Sequence, residues 1–114
     1  MSFQIDQPES KNCKIIRLKG RFVEAAESDE ILLALDNDLL AGNKHYVVDL
    51  AETTLVNSSG INMLVKMVKK VNHESGNIVF AAVPDRVQEL LNVIRLNSVF
   101  TIYPTVEDGV HSIN

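Results

Sequence analysis

Two short, continuous apolar runs separated by one strongly periodic segment constrain this chain more than any other feature. Residues 46–50, Tyr-Val-Val-Asp-Leu, and residues 78–82, Ile-Val-Phe-Ala-Ala, are each too short for a helix and rich in branched or aromatic side chains. Such runs suit strands covered on both faces. Between them Ile61, Leu64, Val65, Val68 and Val71 fall at i, i+3, i+4, i+7 and i+10, the spacing of one helical face. The spacing predicts strand 47–50, helix 60–73 and strand 78–82 as a right-handed crossover unit with parallel strands. A loop is expected between Leu50 and the helix.

The rest of the chain extends this unit. Residues 13–18, Cys-Lys-Ile-Ile-Arg-Leu, read as a strand stopping at Gly20, paired with a short one at 3–5. Ile31, Leu32, Leu35 and Leu39 predict a helix over about 25–40, closed by Gly42-Asn43. Pro84 opens a further helix carrying Val87, Leu90, Leu91 and Ile94. A short strand near 100–103 and a helical turn over 106–113 follow. The expected fold is α/β: one domain over residues 1–114, a mixed four- to five-stranded sheet with helices packed largely on one face.

Composition narrows the function. Apolar residues are 46% and charged residues 23% of 114, the balance of a globular domain that needs no staples. Eleven basic against fifteen acidic residues give a net charge of −4, which argues against nucleic acid because phosphate binding needs a basic face. No apolar run approaches the roughly 20 residues of a membrane span. The first residues lack the basic and apolar regions of a secretory signal. Cytoplasmic localisation and a monomer are therefore expected. Cys13 alone forms no internal disulfide and is read as a buried strand residue, while His45, His73 and His111 have no ligand spacing. No metal or cofactor is expected. There is no Ser/His/Asp arrangement, glycine-rich phosphate loop or carboxylate pair, so no enzymatic activity is expected.

The informative segment is Asn57-Ser58-Ser59-Gly60, between a buried strand and the periodic helix. A helix start presents unpaired N–H groups and partial positive charge. Ser58 or Ser59 reads as an ordinary N-cap, with Gly60 allowing close approach. Alternatively, a serine hydroxyl here is a phosphate acceptor, since the helix start would receive the added phosphate. Met63 and Met67 lie beside the apolar stripe, as core edge or as an adaptable docking surface. Lys66, Lys69 and Lys70 are read as a solvated face near the helix C-terminus.

Val47-Val48-Asp49-Leu50, a loop, and then Asn57-Ser58-Ser59-Gly60-Ile61-Asn62-Met63-Leu64 resemble the core motif of STAS domains, and more narrowly that of anti-sigma-factor antagonists. Leu18-Lys19-Gly20-Arg21, Gly76 to Phe80, Val87 to Leu96 with Val99-Phe100, and Val106 to Val110 are similar to successive family segments. The resemblance implies a non-catalytic switch. Ser58 would be the phospho-acceptor, and Asn57, Ser59, Gly60, Met63 and Met67 would contribute to the partner surface. Unmodified protein would bind an anti-sigma-factor serine kinase of the GHKL type and so release a sigma factor. Phosphorylation would end that binding, and a PP2C-type phosphatase would reset it. Asn57 departs from the family's usual Asp, and Gly20-Arg21-Phe22-Val23 from its usual acidic and hydroxyl residues. The alternative is a structural STAS module of a transporter or stress complex whose Ser58 is never modified. A phospho-aspartate receiver using Asp49 is disfavoured, because Gly20-Arg21 stands where its acidic pair should be and Pro104 where its lysine should be.

Overall fold

A computed structural model describes residues 2–6, 13–22, 25–96 and 98–113; Val23 of the divergent segment lies outside them. Five strands, β1 (Ser2–Asp6), β2 (Lys14–Phe22), β3 (His45–Val56), β4 (Asn77–Ala81) and β5 (Ile102–Tyr103), form one sheet in the order β1-β2-β3-β4-β5. β1 pairs antiparallel with β2, and the other pairings are parallel. Helices α1 (Ala25–Leu40), α2 (Ser58–His73) and α3 (Asp85–Val93) make the crossovers, and α4 (Val106–Ile113) closes the described chain.

Strand alternation sorts the core into two layers. Ile16, Leu18, Tyr46, Val48, Leu50, Ile78 and Phe80 point to one face, where they pack with α1, α2 and α3. Ile15, Val47, Val79 and Ala81 point to the other, where Val110 of α4 covers them with Cys13 beside it. Three helices thus share one face and α4 takes the other. Phe80 and Phe100 meet edge to face at 4.9 Å between ring centroids, the arrangement the ring quadrupoles favour.

The sheet is longer than the apolar runs suggest. The expected loop after Leu50 is strand as far as Val56, because β2 continues beside it to Phe22. Gly20, with φ of 90°, sits at a break in register that carries β2 past its apparent stop. Lys19 pairs with Glu52 across this extension at 3.1 Å. Where β4 begins, a Cβ on Gly76 would stand 2.1 Å from the Lys44 carbonyl oxygen. Only glycine allows that approach, and the next N–H, of Asn77, donates to the same oxygen at 2.8 Å.

Candidate functional site

Because β2, β3 and β4 run parallel, their C-terminal ends lie at one edge of the sheet, and α1, α2 and α3 start from that edge. Crevices outside the carboxyl ends of parallel strands are where such folds place their function. Asn57 stands between β3 and α2 in an extended conformation, φ −105° and ψ −170°. Its Oδ1 accepts from the N–H of Gly60 at 3.1 Å, and its carbonyl accepts from Ile61 N–H at 2.9 Å. Asn57 is therefore the N-cap, a role the sequence had suggested for Ser58 or Ser59. Cap geometry requires a residue outside the helix, and both serines are already inside it.

This arrangement leaves Ser58 and Ser59 as the first two helical residues, both exposed. Among the described residues neither hydroxyl has a hydrogen-bond partner. Their backbone N–H groups precede the first intrahelical bond. No acidic residue lies in the first turn of α2, so nothing within that turn offsets the positive end of the helix dipole. An exposed hydroxyl beside unpaired N–H groups can accept a phosphate without disturbing the core.

Gly60, Met63 and Met67 are placed elsewhere. Gly60 is buried and gives its N–H to the cap. Met63 and Met67 are 2% and 0% exposed, inside the main core. The docking-surface reading of these three residues is corrected. α2 packs against β3, β4 and the neighbouring α1 and buries a stripe wide enough to take in Met63 and Met67 as well as Ile61, Leu64, Val68 and Val71. Lys66 and Lys69 are exposed as expected, but Lys70 reaches Asp36 of α1 at 3.0 Å and ties the two helices.

The neighbouring helix start adds a residue that the sequence reading missed. Ala82, with φ of 53°, turns β4 sharply towards α3, a left-handed conformation that costs an L-residue roughly 1–2 kcal/mol. Arg86 in the first turn of α3 donates to the carbonyl of Thr54, near the end of β3. A guanidinium thus stands on the same edge as Ser58, brought there by parallel strands and invisible to spacing along the chain. Asp49 lies seven residues before Val56, the last of β3. It is bonded to Arg17 at 2.9 Å and to its own chain at Ala51 N–H. An aspartate held there is neither at a strand end nor open, which disfavours the receiver reading further. Among the described residues no group of three or more His, Cys, Asp or Glu could hold a metal ion.

The sequence profile of the STAS domain matches residues 4–109. The chain belongs to the STAS domain family. A Paenibacillus polymyxa protein named anti-sigma F factor antagonist is 24% identical over 114 residues, 99% of this chain and 94% of the relative. The Bacillus cell fate determinant SpoIIAA in the phosphorylated form superposes with a TM-score of 0.74 at 13% identity, over 99% of this chain and 100% of that one. A sulfate transporter family protein from Wolinella succinogenes gives a TM-score of 0.77 at 13% identity, over 90% and 84% of the two chains. These similarities describe an α/β STAS fold, here with a mixed five-stranded sheet. Among the described residues no helix is long and apolar enough to cross a membrane.

Proposed function

We infer that this STAS domain is a phospho-switched anti-sigma-factor antagonist. One observation carries the reading. Asn57 takes the cap, so the exposed Ser58 hydroxyl is left free at the start of α2. With Ser58 bare, the edge formed by Asn57, Ser58 and Ser59 docks on an anti-sigma-factor kinase of the GHKL type in the cytoplasm, and a sigma factor is released. The kinase then phosphorylates Ser58. The new phosphate carries about −1.5 to −2 charges and is held by the free N–H groups, so the domain stays folded. The partner must now desolvate or repel that charge. An uncompensated charge in an interface costs about 2–5 kcal/mol, and each 1.4 kcal/mol is tenfold in affinity. A PP2C-type phosphatase restores the docking form. The domain works as a monomer without cofactor, nucleic acid or catalysis of its own.

The name of the P. polymyxa relative and the phosphorylated form of SpoIIAA support this reading. The likeness to the Wolinella transporter-family protein favours a second reading, a structural module whose Ser58 is never modified. Titration of the cognate kinase with Ser58→Asp and Ser58→Ala separates them. The switch requires Ser58→Asp to melt like wild type yet lose at least about 25-fold in affinity, while Ser58→Ala binds and resists labelling. Equal binding by Ser58→Asp and wild type removes the switch.

A further inference from the structure

Helix α1 carries large apolar side chains on two faces. Ile31, Leu32 and Leu35 are buried in the main core, while Leu33 and Leu40 are 62% and 86% exposed on the outer side. The neighbouring α2, of the same length, exposes no large apolar side chain. Scattered single leucines on a surface are ordinary. These two are seven residues apart, two helical turns and about 10 Å along one line. With the acidic residues between them, Asp29, Leu33, Asp36 and Leu40 follow i, i+4, i+7 and i+11, the repeat by which one helix seats against another.

The charges on this seam have one sign. α1 contains Glu27, Asp29, Glu30, Asp36 and Asp38 and no basic residue. Asp36 is held by Lys70, and Asp38 by Lys14 and the Tyr46 hydroxyl. Asp29 and Glu30 are exposed, and neither has an ion pair or side-chain hydrogen bond with any described residue. They are the fifth and sixth residues of the helix, past the first turn in which the helix dipole favours an acid. Six residues from Asp36, Glu30 stands about 120° round the helix from the side that meets α2, clear of the exposed Lys66. Around the recess beside Leu39, near the end of the seam, Lys69 and Lys70 balance Asp36 and Glu74. The seam is therefore acidic where it begins and neutral where it ends.

We propose that the outer face of α1 docks an amphipathic helix of a partner protein, whose apolar side chains seat on Leu33 and Leu40 and whose basic residues stand over Asp29 and Glu30. Two apolar positions at two-turn spacing select a helix, and the unpaired acids select its charge. A helix holds cations best near its C-terminus, so the partner helix runs antiparallel to α1. The same acids repel anionic lipid headgroups and nucleic acid, and a second α1 would bring five more acidic residues against the first. Leu33 lies about 12 Å along α1 from the edge where the helices start, and the docking does not rest on the Ser58 switch.

The test titrates the whole protein with the peptide acetyl-Ala-Glu-Leu-Ala-Ala-Ala-Leu-Ala-Gln-Leu-Lys-Lys-Ala-Leu-Lys-Lys-amide and follows leucine methyl groups by NMR. The Leu33 and Leu40 methyls should shift on binding while the core Leu64 methyls stay in place. The peptide with glutamate for each lysine should bind about tenfold more weakly or worse, as should Asp29→Lys/Glu30→Lys protein. Leu33→Ser/Leu40→Ser protein should also lose about tenfold or more, yet melt within about 3 °C of wild type because both positions are exposed. Ser58→Asp protein should bind the peptide like wild type, which keeps this result apart from the switch. The proposal is overturned if the peptide does not bind, if the methyl shifts fall outside α1, if the glutamate peptide binds equally, or if the serine variant melts far lower and so shows packed leucines. A concentration-dependent dimer that the serine variant dissolves would assign the seam to a second copy and also overturn it.

Discussion

Replacing Asn57 separates its capping role from its effect on the switch. Asn57→Ala removes the acceptor of the Gly60 N–H, a 3.1 Å bond to a buried residue that water replaces poorly. Cap deletions cost about 0.5–2 kcal/mol, and burial places this one at about 1–2 kcal/mol. With unfolding entropy scaling on chain length, 1 kcal/mol is worth about 4 °C for a domain of this size, so Tm should fall by about 4–8 °C. Asn57→Asp keeps the acceptor and adds a negative charge to a helix start whose first turn has none. That should stabilise by about 0.3–1 kcal/mol at low salt. Phosphorylation of Ser58 reverses the order. At about 6 Å, an aspartate and a doubly charged phosphate repel by roughly 1.4 kcal/mol in water, so phosphorylation should stabilise wild type more than Asn57→Asp. Thermal and urea melts of the three proteins, with and without phosphate on Ser58, measure each quantity. Asn57→Ala melting within 1 °C of wild type would refute the capping argument.

Other perturbations probe the core, the sheet face and the helix pair. Leu64→Ala removes a side chain 2% exposed on α2 and should cost about 2–5 kcal/mol in urea unfolding; a loss well under 1 kcal/mol would mean that this face is misread. Met67→Ala should likewise destabilise by about 2–5 kcal/mol, and a variant of wild-type stability that only weakens kinase binding would return Met67 to the docking surface. Hydrogen bonds from Gln4 and Arg17 hold the Asp6 carboxyl below the usual aspartate pKa. Its contribution is therefore complete above the unfolded aspartate value and is lost as pH falls through the lower folded one. Carboxyl titration by NMR should show this, and Asp6→Asn should remove that part of the acid dependence. Lys70→Ala breaks a part-exposed ion pair to Asp36 and should change stability by no more than about 1 kcal/mol, less in high salt.

Element order was legible because burial leaves a periodic trace. Helix α1 spans the expected residues, and α2 begins only two residues earlier than its apolar spacing suggested. The extension of β3 to Val56 was hidden because only one neighbour, β2, supports it, and half-covered strands carry no continuous apolar run. At the site, the sequence pointed to a helix start and to serines, but not to which residue caps. Asn57, Ser58 and Ser59 are all good capping residues, and only the backbone turn at Asn57 decides between them. Met63 and Met67 were ambiguous for a similar reason, since spacing marks the centre of a buried stripe while its width is set by the neighbouring α1. The place of Arg86 beside the end of β3 comes from pairing between distant segments and left no local signal.

The central claim is that Ser58 is the residue whose phosphate controls docking. Phosphosite mapping on the intact protein isolated from its own cells, split into phosphatase-treated and untreated halves, addresses it most directly. The account predicts one phosphatase-sensitive phosphate on the peptide containing Asn57-Ser58-Ser59, assigned by fragmentation to Ser58 and absent from a Ser58→Ala strain. A phosphate on Ser59 with Ser58 bare, or an unmodified chain under every condition in which the kinase is active, would contradict it.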